Sequence, residues 1–318
     1  MEIDNIGYFS CALCPHKCLV NRQKGQRGIC GESAQMRIAW IGLHQGEEPP
    51  FVGDKGSGTI FFTGCPLHCA YCQNCQISQQ KSPTGINVTV EELASLLLDL
   101  QYEGAANANL VTGTHFIPSI IEALQLAQRD GFTLPVVWNS SGFETVGGLS
   151  LIDPYIDTYL IDVKTLDEQV AAKFCGNVLY ANNIRAVIAF LVHQHRQTFL
   201  ESSGFLRGIV IRHLVFPGTL AATEEFLRWF AKDIKVHAWL SLMVQFVPPT
   251  GSIDLGEISS QEYDDLVMLL SELEIEEGFM QELADNIPWI PDFTRDNPFP
   301  AGFATPLPAF LELRNSRR

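Results

Sequence analysis

From Thr59 onward, apolar runs of strand length alternate with segments of helical periodicity, and few architectures tolerate that alternation. Thr59–Thr63, Ala108–Val111, Leu134–Trp138, Thr158–Val163, Gly208–Phe216 and Trp239–Phe246 read as strands. Between the first two, Val90–Tyr102 puts Leu93, Leu96, Leu97 and Leu100 at helical spacing. Helices are also expected at Ile117–Arg129, Glu144–Leu151, Val178–Gln194, Thr223–Ala231 and Ser260–Leu273, the last with Tyr263, Leu266, Val267 and Leu270 on one face. Strand, helix, strand in series requires crossovers, so the six strands predict an α/β fold with a parallel sheet. In such sheets chemistry gathers at the C-terminal ends of the strands. The 318 residues suit one large barrel as well as two smaller domains. Residues 1–50 are rich in Cys, Gly and Gln, read as irregular, and hold too few apolar residues for a core of their own. They are taken as a Cys-rich metal-binding cap, 51–280 as the catalytic body, and 281–318, with its Pro-rich run Pro288–Pro308, as a C-terminal extension.

The cysteines carry the next constraint. Of nine, eight fall before residue 76, at Cys11, Cys14, Cys18, Cys30, Cys65, Cys69, Cys72 and Cys75. Met1–Ser10 has no basic start followed by an apolar run, so no secretory signal is read there. In a reducing compartment, cysteines crowded at spacings of two or three bind metal more readily than they form disulfides. Cys175 stands apart and reads as a core thiol in a helix. A net charge of −15 argues against a phosphate backbone or an anionic lipid surface as partner. The most apolar stretches, Ile184–Val192 and Ala238–Val247, are too short to span a bilayer. A cytoplasmic location, without nucleic acid or membrane, is the expectation.

Directly after the first strand comes Gly64-Cys65-Pro66-Leu67-His68-Cys69-Ala70-Tyr71-Cys72. Three thiolates spaced C-x3-C-x2-C can ligate three irons of a cubane. With no fourth ligand in the loop, one iron stays open to an external molecule, as an open catalytic metal site does. Cys75 is a rival fourth ligand by spacing, and is read instead as the start of a helix.

With an aromatic residue (Tyr71) before the last cysteine, this motif resembles the radical S-adenosylmethionine superfamily. The resemblance implies a 4Fe–4S cluster on Cys65, Cys69 and Cys72, and S-adenosylmethionine on the open iron. It further implies reductive cleavage of that cofactor to a 5′-deoxyadenosyl radical, which abstracts hydrogen from substrate. Tyr155–Lys164, Ile209–Gly218, Ser241–Phe246 and residues 281–293 are similar to the uncharacterised, PflX-like branch of pyruvate formate-lyase activating enzyme homologues. That likeness implies a partial (β/α)6 TIM-type barrel.

The remaining strand ends supply candidates. Thr112-Gly113-Thr114-His115 stands where most of the superfamily carries Gly-Gly-Glu to bind the cofactor's amino group, and it has no carboxylate; backbone carbonyls and threonine hydroxyls can accept those bonds. Asn139 and Ser141 suit a ribose or carboxylate, and equally the start of a helix. Asp162 and Lys164 share one strand face, with a solvent-exposed ion pair as the plainer alternative. Arg212 sits in an apolar strand and needs a partner, which a carboxylate would satisfy. The resemblance puts Asp162, Lys164, Arg212 and His213 in the cofactor and substrate pocket, with Lys164, Arg212 and His213 as catalytic candidates. Tyr71, Thr112, Gly113, Thr114, His115, Asn139, Ser141, Asp162 and Gln245 are the cofactor-binding candidates.

Cys11-x2-Cys14-Pro15-x2-Cys18 and Cys30 make four further thiolates, enough for a closed structural zinc or a second iron–sulfur cluster, with unliganded cysteines as the alternative. Three functions stay open. One is an activating-enzyme-like abstraction of hydrogen from a glycine of a partner protein. Another is modification of a small molecule or peptide by the same radical. The third is an iron–sulfur carrier without radical catalysis, favoured by the missing Gly-Gly-Glu. The enzymatic readings need an electron donor such as flavodoxin or ferredoxin.

Overall fold

The computed structural model describes residues 7–79, 84–195, 197–247, 249, 256–283 and 290–317. Met1–Ile6, Pro248, and Pro288 and Trp289 of the Pro-rich run lie outside the described residues. Eleven strands form: β1 (Arg37–His44), β2 (Ser57–Phe62), β3 (Ile86–Asn87), β4 (Ala108–Val111), β5 (Val136–Ser140), β6 (Thr158–Asp162), β7 (Phe199–Leu200), β8 (Leu206–Leu214), β9 (Trp239–Met243), β10 (Gly278–Met280) and β11 (Ala304–Pro306). The sheet runs β10-β9-β8-β6-β5-β4-β2-β1-β11, with β3 on β1 and β7 on β8. From β2 to β10 the main path is parallel, while β1 and β11 join antiparallel. The path has two ends and does not close. This is a partial barrel.

The six expected strands are β2, β4, β5, β6, β8 and β9. Two findings differ from the sequence reading. Residues 1–50 are not irregular throughout: Arg37–His44 (RIAWIGLH) forms β1, because its apolar run is buried against both β2 and the chain's C-terminal end. A seventh parallel strand, β10, pairs with β9; three residues are too few to show a periodicity.

The helices lie where their periodicity puts them. Val90–Tyr102 opens on a capping box between Thr89 and Glu92 and buries Leu93, Leu96, Leu97 and Leu100. Ile117–Arg129 and Tyr180–Gln194 pack on the sheet through Ile117, Ile120, Ile121 and through Ile184, Val187, Ile188. In Ser260–Glu272 only Leu266 is buried and Val267 is exposed, so that helix presents a narrower apolar face than expected. Among the described residues no single helix is long and apolar enough to cross a membrane.

Candidate active site

The cysteine loop leaves β2 through a turn that only glycine fits. Gly64 has φ +77°, and a side chain there would meet Glu32 Cγ at 2.6 Å and the Cys30 carbonyl oxygen at 2.7 Å. His68 also holds a left-handed conformation, φ 55°, and the Cys72 amide closes a turn onto the Cys69 carbonyl at 3.2 Å. The result brings Cys65, Cys69 and Cys72 to the wall of one cavity of ≈ 340 Å³ at the C-terminal ends of the parallel strands. Larger clefts of ≈ 600 and ≈ 630 Å³, at Arg185–Trp229 and at Arg27–Arg37, contain no cysteine and no parallel-strand end.

The three thiols act on one another. Burial pushes Cys65 up to about 12, and the neighbouring Cys69 and Cys72 add to it. Cys72 is pushed up to about 11, again chiefly by burial. Cys69 is raised by its contact with the Cys175 thiol and then by burial. Cys175, in a π-helical turn at Ala171–Cys175, is therefore a core thiol backing Cys69. Metal must displace these protons to bind. Among the described residues no three His, Cys, Asp or Glu side chains gather closely enough to hold one ion. A cubane makes no such demand, because each thiolate takes a different iron. The trio fits a cluster, and no fourth cysteine lines the cavity: Cys75 opens the short helix Cys75–Ser78 instead.

Of the expected cofactor residues, Tyr71, Thr112, Asn139, Ser141 and Asp162 line the cavity, as do Lys164 and Arg212. Thr112 holds φ 60°, a strained backbone for a β-branched residue and of the kind found at functional positions. Lys164 Nζ meets Asp162 Oδ2 at 2.6 Å with both side chains mostly buried, so the pair is a cavity feature and not a solvent-exposed one. Burial would lower the Lys164 ammonium, but Asp162 and then Cys69 outweigh it and raise it. The Tyr71 hydroxyl is buried with no hydrogen-bond partner.

Five expected residues are not brought to the cavity. Gly113 packs toward Ile120 and Trp138. Thr114 donates to the buried Glu144 at 2.7 Å. His115 donates to the Thr63 carbonyl at 2.6 Å behind the cysteine loop, and burial pushes it down to about 3. His213 donates to the Val163 carbonyl at 2.7 Å, accepts from Thr223 at 3.0 Å and stacks on Phe226; burial pushes it down to about 4. Side chains alternate along β8, so Arg212 facing in turns His213 out. Gln245 lies past the end of β9 and bonds the Glu282 carbonyl at 2.7 Å.

The partners of Arg212 came from the segment read as irregular. Arg212 Nε donates to Glu48 Oε1 at 2.8 Å and Nη2 to Glu47 Oε2 at 2.5 Å. Asn109 donates to Glu47 at 2.9 Å, and His44 Nδ1 stands 3.7 Å from it. The need of Arg212 for a carboxylate was visible in sequence; that Glu47 and Glu48 supply it was not. Phe61, Phe299 and Pro291 complete that side.

In the cap, Cys11, Cys14 and Cys30 are buried and Cys18 is partly so. Burial pushes Cys14 up to about 12 and raises Cys11 and Cys30, and each of the three also feels neighbouring cap thiols.

Comparison with known proteins gives a consistent picture. The profile of the radical SAM superfamily matches residues 59–230. An uncharacterised protein of Methanocaldococcus jannaschii is 30% identical over 293 residues, 90% of this chain and 77% of that one. A radical SAM methyltransferase from Sphaerobacter thermophilus superposes with a TM-score of 0.50 at 12% identity, over 71% of this chain and 66% of that one. Streptococcus suis SuiB bound to precursor peptide SuiA gives a TM-score of 0.48 at 11% identity over 69% of this chain; the match spans 46% of that protein, about half its length.

Proposed function

For a chain that belongs to the radical SAM superfamily, we propose hydrogen abstraction at the cavity beneath Cys65, Cys69 and Cys72. One observation carries the reading: the three cysteines, and no fourth, share that cavity with the polar strand ends. When bound, a 4Fe–4S cluster and S-adenosylmethionine supply the electron and the 5′-deoxyadenosyl radical. The chain's own residues do the rest. Lys164 offers an ammonium to a carboxylate, and Asp162 offers acceptors to hydroxyl or ammonium groups. Asn139 and Ser141 add neutral donors and acceptors beside them. With no Gly-Gly-Glu carboxylate, the strained Thr112 backbone and hydroxyl are the acceptors at the second parallel strand end. Arg212, neutralised by Glu47 and Glu48, shapes the far wall, while Phe61, Phe246 and Phe299 keep it dry.

Anaerobically reconstituted protein given dithionite and S-adenosylmethionine releases 5′-deoxyadenosine, and Cys69→Ala abolishes it. A cluster without cleavage favours the carrier reading. The finer assignment, abstraction from a backbone glycine of a partner protein, rests on the likeness to activating enzymes. Incubation with pyruvate formate-lyase as probe produces a glycyl-radical signal in electron paramagnetic resonance if it holds. Cofactor cleavage with no such signal points to a small molecule or peptide instead.

A further inference from the structure

We propose, building on that reading, that Cys11, Cys14, Cys18 and Cys30 ligate a second iron–sulfur cluster, closed by four thiolates, through which electrons enter the catalytic one. The backbone gathers these side chains by local constraint. Cys11 and Val20 pair at 3.1 Å, Lys17 closes a turn on Cys14 at 3.0 Å, and Gly31 closes one on Gly28 at 3.0 Å. Lys17 and Leu19, flanking Cys18, both hold left-handed conformations. A side chain at Gly28 would meet Cys18 Sγ at 2.7 Å and Cys30 Sγ at 3.8 Å, so glycine leaves the space between these two sulfurs clear. The cap cysteines do not close on a single ion, a property they share with the central trio.

Arg22 points to the charge that belongs there. The residue is 1% exposed; its guanidinium donates to the carbonyls of Glu32, Ser33 and His115, lies over the Tyr8 and Phe116 rings at 5.2 and 5.8 Å, and has Cys11 Sγ at 4.0 Å. Among the described residues no carboxylate pairs with it. A cation buried this far needs a counter-charge, and a cubane held by four thiolates is an anion overall.

Position gives the role. The Cys30 carbonyl packs against Gly64, the residue before Cys65, and His16 donates to the Pro66 carbonyl at 2.8 Å. The two cysteine groups thus share a wall. Lys17, Lys24 and Arg27 are exposed there, while the one acidic residue between 7 and 44, Glu32, is buried, in a chain of net charge −15, and Phe9, Leu19 and Ile29 are exposed beside them. That surface suits a small acidic one-electron carrier. A cluster held by Cys11, Cys14, Cys18 and Cys30 would take one electron from the reduced carrier and supply it to a cluster held by Cys65, Cys69 and Cys72, the one electron that reductive cleavage of a carbon–sulfur bond of S-adenosylmethionine needs.

The test separates the two sites. Reconstituted wild-type protein holds about eight irons per chain, four for each cubane. The triple variant Cys65→Ala/Cys69→Ala/Cys72→Ala holds about four, and its reduced paramagnetic signal does not change when S-adenosylmethionine is added. A wild type with about four irons, or a triple variant with none or with one zinc, overturns the proposal. Cys14→Ala/Cys30→Ala loses half the iron and loses cleavage driven by reduced ferredoxin relative to that driven by dithionite; an unchanged ratio overturns the relay. Failure of the functional reading shows separately, as a wild-type signal that ignores S-adenosylmethionine while the triple variant keeps its iron.

Discussion

Removing the Arg212 guanidinium tests whether the far wall of the cavity is held by a buried charge cluster. Arg212 is 11% exposed in its side chain, Glu47 6% and Glu48 8%. Arg212→Ala leaves two carboxylates facing each other without a cation, and breaking a buried pair this way costs about 3–5 kcal/mol. Asn109 still supports Glu47, and Ser241 still bonds Glu48, so the loss belongs near the lower end, about 3 kcal/mol. For a chain of this size that lowers Tm by roughly 4 to 5 °C.

The pH dependence sharpens the test. In the native protein burial pushes Glu48 up, but the charge and hydrogen bonds of Arg212, with help from Ser241, hold it below the usual carboxylate range. A depressed carboxylate adds stability above its unfolded pKa and loses it as pH falls through the folded one. Without Arg212 burial is opposed only by the hydrogen bonds from Ser241 and the backbone, the folded pKa moves above the unfolded one, and stability is lost as pH rises. The gap between wild type and variant therefore widens from pH 4 to pH 8 in anaerobic thermal melts. Adding Glu47→Gln and Glu48→Gln to the variant recovers most of it. A variant whose Tm matches wild type at pH 8, or a gap independent of pH, would refute the argument.

Lys164→Met weakens S-adenosylmethionine binding about 10- to 100-fold, the worth of one charge-assisted hydrogen bond, measured by equilibrium dialysis on the reconstituted protein; unchanged affinity removes Lys164 from the cofactor site. Gly64→Ala forces a side chain into the Cys30 carbonyl at 2.7 Å with φ +77°, so iron content and the cluster absorbance fall; full iron loading would show that the loop yields. Cys175→Ala keeps its full iron content while Cys72→Ala loses the catalytic cluster, about four irons, because Cys175 backs Cys69 without reaching the cavity; iron loss in Cys175→Ala would make it a ligand.

What the sequence disclosed and what it hid divide along physical lines. The cysteine loop, the parallel strands and the polar strand ends were legible because each is written in a few adjacent residues. Asn139, Ser141, Asp162 and Lys164 reached the cavity for that reason. Glu48 did not show itself, since its partner Arg212 lies 164 residues away and residues 1–50 read as irregular. His213 was the opposite error: alternation along a strand turns it away from any surface that Arg212 faces, and that signal was present. Gln245 failed because β9 stops at Met243, three residues short of what its apolar run suggested.

The unclosed sheet explains why the C-terminal segment matters. A radical site must exclude water yet admit a substrate; a sealed barrel meets only the first need and a bare open sheet only the second. Here β2 pairs on its outer side with antiparallel β1, which carries β11 beyond it, and does not close onto β10. Phe61 on β2 packs against Phe293 and Phe299 with ring centroids 5.5 and 5.7 Å apart, and His44 packs on Phe299 at 4.7 Å. Phe299 and Pro291 thus wall the flank that a closing strand would otherwise cover. That wall is held by β11 on β1, by the Phe293 amide donating to Gln76 at 2.7 Å, by the Leu307 amide donating to the Ile41 carbonyl at 2.9 Å, and by the burial of Phe293 and Phe299 against Trp40 and Phe61. The flank of the cavity is thus built from the C-terminal segment, whereas Cys65, Cys69 and Cys72 sit on the loop after β2.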